Sequence, residues 1–189
     1  MRVGAPDKMG AAFRDIHQAH TADSFATMSL QKLDAFLQTS KSDVRYVFES
    51  YPVQSIVRVL LQLDAPEPTI FRFWHDLRDR LTPVDPWLLY FRESDPGQAM
   101  ADIFRKRGPA WERYVVEALS QSPWMKNRAL SGVEGVLSMV RLYSTFFDRL
   151  IESWRFPVLT LPARPESYEE RTNTLIEWVT AGRSMRAKP

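Results

Sequence analysis

The stretch SDVRYVFESYPVQSIVRVLL, residues 42–61, decides the fold that the sequence predicts. Four of its residues are β-branched or aromatic and stand close together: Val44, Tyr46, Val47 and Phe48. Such a cluster is typical of a buried strand, which we expect to end at Glu49. Pro52 suits the first position of a following helix, because its missing N–H would have no intrahelical partner there. The stretch therefore predicts a strand, a turn and a helix.

The predicted helix has two unlike sides. Apolar residues recur on one side at helical spacing: Ile56, Val57, Leu60 and Leu61. Gln54 and Arg58 lie near the other side, and Glu49 lies at the carboxyl end of the strand. Open α/β sheets bind their ligands at that end of their strands, so these three polar residues are candidates for a binding site. A plainer explanation stays open, in which Glu49 favours the helix N-terminus through the helix dipole and Arg58 belongs to a solvated face.

Two more strands are predicted downstream, with helices between all three. WLLYF (87–91) is a continuous apolar run, typical of a strand buried on both faces, and PVLTL (157–161) indicates a closing strand. The longest apolar period spans residues 133–154 and predicts the main core helix. Short strands that alternate with helices favour an α/β fold with a parallel sheet. Three strands are few for such a sheet, which indicates that part of it is missing.

Length and composition indicate one domain. The chain has 189 residues, of which 44% are hydrophobic, and this is enough for a real core. We assign the domain to residues 25–182, with a poorly ordered or loosely packed segment at 1–24 and a basic tail at 183–189. The chain has no cysteine, which excludes disulfides and thiolate chemistry, and its three scattered histidines do not form a zinc motif.

Charge and hydropathy limit the partners and the location. The formal charge of +2, from 25 basic and 23 acidic residues, is too small for long-range electrostatic attraction to nucleic acid or to a membrane surface. No apolar run has the length of a membrane span, and the opening residues MRVGAP lack the apolar stretch of a signal peptide. We therefore expect a cytoplasmic protein that binds neither nucleic acid nor a membrane.

Four short motifs follow one another along the sequence in an order that can be compared with known folds. They are VFESYPVQSIVRVLLQLDA (47–65), WLLYF (87–91), RKRGPAW (105–111) and MKNRALSGVEG (125–135), and a closing strand and an amphipathic helix follow them. In this order they resemble the P-loop nucleotide and nucleoside kinases of the thymidylate-kinase-like group, over residues 25–182. The resemblance implies an α/β fold in three layers, a parallel sheet flanked by helices, that is helix-rich and incomplete at its N-terminus.

The resemblance also implies roles for three residues around the predicted turn. Glu49 would be the catalytic residue that orients or deprotonates the hydroxyl of the acceptor, while Gln54 and Arg58 would bind the substrate. That substrate would be a nucleotide or a small hydroxyl-bearing compound. ATP and Mg²⁺ would be the cofactors of an active enzyme, and we expect no metal site built from protein side chains.

Two basic pairs match the lid and phosphate contacts of such kinases. Arg105 and Arg107 match lid arginines that neutralise charge on the transferred phosphoryl group. Lys126 and Arg128 match auxiliary phosphate contacts. Plainer explanations stay open for both pairs. The first pair can favour a helix C-terminus through its dipole, and the second can belong to a solvated loop.

One feature of these kinases is missing from the sequence. G-x-x-x-x-G-K-[ST] does not occur, and this is the loop that surrounds the phosphates and supplies a lysine and the hydroxyl on Mg²⁺. GAPDK, residues 4–8, lacks the second glycine and a preceding strand. The chain therefore resembles a kinase fold that lacks its N-terminal phosphate-binding unit. The missing strands would leave edges of the sheet unpaired.

Three functions are compatible with these observations. The first is a kinase-like domain that is not catalytic alone and retains an acceptor or nucleotide pocket. The second is an active phosphotransferase whose P-loop lies upstream or on another chain. The third is a non-enzymatic interaction protein, in its simplest form a homo-oligomer whose open sheet edges pair. The first function predicts that Glu49 and Arg58 border one concave pocket, which Arg105 or Arg107 can approach.

Overall fold

A computed structural model of the protein describes residues 19–164 and 166–186. Within these ranges the elements, in chain order, are α1 (Ala22–Thr39), α2 (Gln54–Gln62), α3 (Glu67–Leu81), β1 (Leu88–Arg92), α4 (Pro96–Arg107), α5 (Pro109–Ser120), α6 (Pro123–Asn127), α7 (Gly132–Glu152), β2 (Val158–Pro162) and α8 (Tyr168–Arg186). A 3₁₀ turn, Thr82–Val84, follows α3. The described residues thus form a largely helical domain with a small sheet.

The predicted end segments fall partly outside these ranges. Residues 1–18 of the first segment and 187–189 of the basic tail lie outside the described residues. Residues 22–24 belong to α1, which starts with a capping box. The N–H of Ser24 donates to Oγ1 of Thr21 at 3.2 Å, and the N–H of Thr21 donates to Oγ of Ser24 at 3.0 Å. Each residue thus satisfies a backbone donor of the other.

The predicted three-layer parallel sheet is wrong. Within the described residues the sheet has two strands, β1 and β2, which pair in parallel from Leu88 opposite Val158 to Arg92 opposite Pro162. Both strands match predicted ones, shifted by one residue. β1 is not buried on both faces as predicted, because Leu88 is half-buried and Phe91 is 45% exposed. A sheet of this size does not separate two helical layers, and the helices pack mainly on one another.

The predicted central strand, residues 44–48, is not a strand. It is an irregular connection from α1 to α2, and Val47 within it is 96% exposed. Tyr46 and Phe48 pack edge-on against Phe36 of α1, with ring centroids 4.9 and 5.1 Å away. Aromatic and β-branched residues are favoured in strands, but the same rings also pack on a helix. Whether these residues form a strand or pack on a helix depends on the tertiary structure, which local composition does not reveal.

The helix after this connection starts later than predicted. Pro52 lies in the preceding turn, after a cis Tyr51–Pro52 bond, and α2 begins at Gln54. The predicted apolar side of the helix is confirmed. All four of its residues are buried: Ile56, Val57, Leu60 and Leu61.

α7 contributes to all three apolar clusters of the described structure. Its second half packs with α1, α2 and α3, where the fully buried Trp74 lies 6.0 Å from Phe147 and 4.9 Å from Trp154 between ring centroids. Its first half contributes Val136 to a cluster with α4 and α5, and Met139 to a cluster with α6. A large side chain of this kind contributes about 1.5–3 kcal/mol when fully buried. The predicted main core helix is therefore confirmed, and it supplies a fixed wall for the site described next.

Candidate functional site

β1 and β2 end at the same edge of the sheet, and a cleft of about 810 Å³ lies there. Three parts of the chain line it: the connection from β1 into α4, one side of α7 and the end of β2. Its charged and hydroxyl lining includes Arg92, Glu93, Asp95, Arg141, Ser144 and Asp148. Ligand pockets commonly have volumes of about 300–1,000 Å³, and parallel sheets bind ligands at this edge. Size and position therefore both suit a small molecule.

Asp148 of α7 fixes two side chains of β1. Its Oδ1 accepts from the hydroxyl of Tyr90 at 2.9 Å, and its Oδ2 accepts from Nη2 and Nε of Arg92 at 2.8 and 3.2 Å. Burial, with the Asp148 carboxylate as the next cause, raises the pKa of Tyr90 to about 12. The hydroxyl of Tyr90 therefore keeps its proton at neutral pH and remains a donor. The hydrogen bond with Asp148 also raises the pKa of Arg92, whose guanidinium stays charged.

Glu93, the next residue of the cleft, is paired with Arg164 from the segment after β2. Arg164 donates from Nε to Oε2 of Glu93 at 3.1 Å and from Nη1 to Oδ2 of Asp102 at 2.8 Å. Asp102 on α4 also accepts from Nε2 of Gln98 at 2.7 Å and from Arg105. The hydrogen bond from Arg164 and then that from Gln98 lower the pKa of Asp102 to about 2. These bonds tie the end of β2 to α4.

The first turn of α4 borders the cleft beside Arg141. Asp95 is the cap of this helix, and its Oδ1 accepts from the N–H of Gln98 at 2.9 Å. Gly97 is buried, and a methyl group built on it would lie 2.6 Å from Nε and Nη2 of Arg141 and 2.8 Å from its Cζ. The guanidinium of Arg141 therefore lies directly against the backbone of this turn. It occupies the space that any larger residue at position 97 would fill.

A second tyrosine with a raised pKa, Tyr143, lies on α7. Tyr143 of α7 stacks on Phe147 with ring centroids 5.7 Å apart. Burial is the main cause that raises the pKa of Tyr143, and the proximity of Tyr90 adds to it, while Arg58 and Gln54 oppose it. Both predicted substrate-binding residues, Gln54 and Arg58, therefore influence the pKa of one tyrosine, Tyr143.

The predicted catalytic residue does not line the cleft. Glu49 is exposed in a bend before α2, and its carbonyl accepts from the N–H of Tyr51 at 2.8 Å. Among the described residues that line the cleft, Glu49, Gln54 and Arg58 do not occur. A pocket shared by Glu49 and Arg58 stays a prediction.

The two predicted lid arginines occupy the last turn of α4. Arg105 forms an ion pair with Asp102, and the guanidinium of Arg107 lies 4.7 Å from the centre of the Trp111 ring. Both arginines are exposed, and cations in the last turn of a helix interact favourably with its dipole. These contacts account for their positions without a ligand, and a role in a lid stays a prediction.

The two predicted phosphate contacts lie at α6. Lys126 is exposed on that helix. Arg128, which follows it, donates from Nη1 to Oδ1 of Asp64 at 2.7 Å and to the carbonyl of Trp124 at 3.1 Å. The Asp64 contact connects α6 to the end of α2, so Arg128 has a structural role whether or not it also binds a phosphate.

The sequence contains a signal for the cleft that our prediction missed. Polar residues follow one another on α7 at helical spacing: Arg141, Ser144, Thr145 and Asp148. Intervals of three and four residues place such side chains on one side of a helix. A second polar run, residues 92–95, comes directly after β1. A polar stripe on the core helix together with a polar turn after a strand could therefore have located the site.

Comparison with known proteins adds no relative: no family model, curated protein or solved structure matches this chain. Within residues 19–164 and 166–186, no helix is both long and apolar enough to cross a membrane. The same residues contain no group of three or more His, Asp or Glu side chains that could hold a metal ion. The geometry of the cleft is therefore the main basis for a functional proposal.

Proposed function

We propose that the protein is a small-molecule-binding domain and that its site is the cleft at the ends of β1 and β2. Its ligand is a nucleotide or a small hydroxyl-bearing compound, as the resemblance to nucleotide kinases implies. One observation carries the proposal: a cleft of about 810 Å³ with charged and hydroxyl side chains lies at the carboxyl ends of two parallel strands. Parallel sheets bind small molecules in clefts of this size and position.

The contacts around the cleft support this function because they hold its polar groups in place before a ligand binds. Asp148 fixes Arg92 on one side, and Arg164 fixes Glu93 on another. Side chains that are ordered in the free protein lose less conformational entropy on binding. A preorganised polar cleft is what a specific ligand site requires.

Phosphoryl transfer by this chain alone is not part of the proposal. Its sequence has no phosphate-binding loop to position ATP and Mg²⁺. We therefore expect no transfer from ATP to nucleosides or nucleotides when Mg²⁺ and the purified chain are mixed. Transfer that appears on addition of a second, P-loop-bearing chain would favour the active phosphotransferase. We also propose a cytoplasmic location, which the absence of cysteine supports.

Calorimetric titration tests binding directly. We expect at least one member of a panel of nucleosides, nucleoside mono-, di- and triphosphates and small hydroxyl-bearing compounds to bind, with or without Mg²⁺. Thr145→Trp should abolish that binding, because Thr145 is exposed and lines the cleft. Thr172→Trp on α8 is the matched control, since both threonine hydroxyls donate to the carbonyl four residues earlier. The proposal is contradicted if no compound of the panel binds, or if the two variants bind equally well.

A second candidate function is protein binding, and the exposure of the connection before α2 favours it. Val47 is 96% exposed, and Val44, Tyr46 and Phe48 are each more than 40% exposed. Clustered exposed apolar residues are common at interaction sites. Light scattering during size-exclusion chromatography tests the simplest case, a homo-oligomer that Val47→Asp dissociates. A strict monomer at high concentration contradicts it.

A further inference from the structure

We propose that Arg141 binds an oxyanion, the phosphate or carboxylate group of a ligand, and that Gly97 provides the space that its guanidinium needs. This inference rests on the proposed function, because it names the chemical group by which the cleft holds its ligand. It does not depend on which member of the ligand class is bound.

The first observation is that the acidic residues of the cleft already have donors. Asp148 accepts from Arg92 at 2.8 Å, and Glu93 accepts from Arg164 at 3.1 Å. Asp95 accepts from a backbone N–H in the first turn of α4 at 2.9 Å. Among the described residues, no ion pair joins Arg141 to any of these three carboxylates.

The second observation concerns Arg141 itself. Among the described residues, its guanidinium forms no ion pair and no side-chain hydrogen bond, although it lines the cleft. A guanidinium carries five N–H donors in a planar fork that matches the two oxygens of a carboxylate or phosphate. An unpaired guanidinium on the wall of a cleft is thus suited to an anionic ligand group.

The third observation is the position of this guanidinium against α4. Nε and Nη2 lie 2.6 Å from the point where a Cβ at position 97 would stand. The first turn of a helix carries the positive end of its dipole, which disfavours a cation beside it and favours an anion. An oxyanion bound by Arg141 at this place offsets both positive charges. Gly97 permits the arrangement because it has no side chain.

Hydroxyl groups next to Arg141 extend the site. Ser144 lies three residues further along α7 and lines the same cleft. Its hydroxyl, which is also a hydrogen-bond partner of Tyr90, can accept from a hydroxyl of the ligand. The ligand that fits best is therefore a hydroxyl-bearing compound with one phosphate or carboxylate.

The test is an NMR titration of the ¹⁵N-labelled protein with inorganic phosphate and, separately, with acetate, at an ionic strength held constant with chloride. We expect saturable shifts of the Arg141 Nε–H and of the Gly97 and Gln98 amides. The stronger of the two anions identifies the source of the group, phosphate or carboxylate. Arg141→Ala should weaken binding of that anion about tenfold or more, the size expected for a charge-assisted hydrogen bond.

Two further variants separate charge from position. Arg155→Ala removes an exposed guanidinium that does not line the cleft, and it should bind the anion as the wild type does. Gly97→Ala keeps the charge of Arg141 but displaces its guanidinium, so we expect weaker binding at a nearly unchanged Tm. Wild-type affinity in Gly97→Ala would show that the space at position 97 has no role.

The outcomes distinguish this inference from the proposed function. If Arg141→Ala binds both anions as tightly as the wild type, the inference is wrong. If a nucleotide or hydroxyl compound binds in the cleft equally well in wild type and Arg141→Ala, the inference is wrong and the proposed function stands. If neither the anions nor any compound of the panel binds, both are wrong.

Discussion

The hydroxyl of Tyr90 in β1 donates a 2.9 Å hydrogen bond to the carboxylate of Asp148 in α7, between residues 58 positions apart in the sequence. The same carboxylate accepts from Arg92 at 2.8 Å. Tyr90 also packs on Phe147, which precedes Asp148, with ring centroids 5.3 Å apart. Two paired strands have little stability of their own. Contacts with α7 are therefore what fix the end of β1 at the cleft.

Removing the hydroxyl of Tyr90 tests this contribution. We expect Tyr90→Phe to lower the free energy of unfolding by about 1 kcal/mol, the net value of a typical intramolecular hydrogen bond. The ring and its packing on Phe147 are retained. Urea denaturation followed by tryptophan fluorescence measures the change. Tyr168→Phe is the matched control, because Tyr168 is 70% exposed and should lose nothing measurable; equal losses in both variants contradict the prediction.

The raised pKa of Tyr90 predicts that alkali destabilises the protein. Its folded value of about 12 exceeds the ordinary 10.0, so the unfolded chain loses this proton first as the pH rises. The stabilisation is complete below pH 10 and is lost as the pH approaches 12. Burial raises the pKa of Tyr143 in the same direction. The free energy of unfolding in urea should fall above pH 10, and less steeply in Tyr90→Phe than in the wild type.

Local patterns in the sequence were enough to predict α2, α7 and both strands. Apolar residues at helical spacing report burial directly, and the buried Ile56 and Val57 confirm this for α2. The continuous apolar run located β1 but not its burial, because Phe91 is 45% exposed. The segment 44–48 differs, because its residues would be buried only beside a neighbouring strand. No strand among the described residues lies there. Whether a neighbouring strand exists depends on the whole fold, so a local sequence pattern cannot predict it.

Val47→Asp tests the corrected placement of this segment. In a buried strand the substitution would bury an unpaired carboxylate and unfold the protein. Val47 is 96% exposed, so we expect the free energy of unfolding to change by no more than about 0.5 kcal/mol. Val57→Asp in α2 is the matched control, since Val57 has no exposed surface, and it should abolish folding. Circular dichroism during thermal unfolding measures both, and a collapse of Val47→Asp would restore the buried strand.

The candidate site was less predictable than the helices and strands. The resemblance to kinases predicted a site at Glu49 and Arg58, whereas the cleft is lined by Arg141 and Asp148 of α7. Their spacing of seven residues places them on one side of a helix, which the sequence does show. Which neighbouring elements face that side depends on the parallel pairing of β1 with β2 across four intervening helices. Pairing between strands so far apart in the sequence cannot be predicted from any single stretch of residues.

The carboxyl group of Asp102 provides a direct probe of the contact between α4 and the end of β2. Hydrogen bonds from Arg164 and then Gln98 lower its pKa to about 2, so it stabilises the folded state above its ordinary pKa of 3.8, and this is lost as the pH falls toward 2. Arg164→Ala should raise the pKa of Asp102 toward 3.8, as measured by NMR of the carboxyl ¹³C. Arg149→Ala is the matched control: it removes the main hydrogen bond that lowers the pKa of Glu67, and it should shift Glu67 while leaving Asp102 unchanged. If the pKa of Asp102 is the same with and without the Arg164 side chain, the two segments are not joined through this pair in solution.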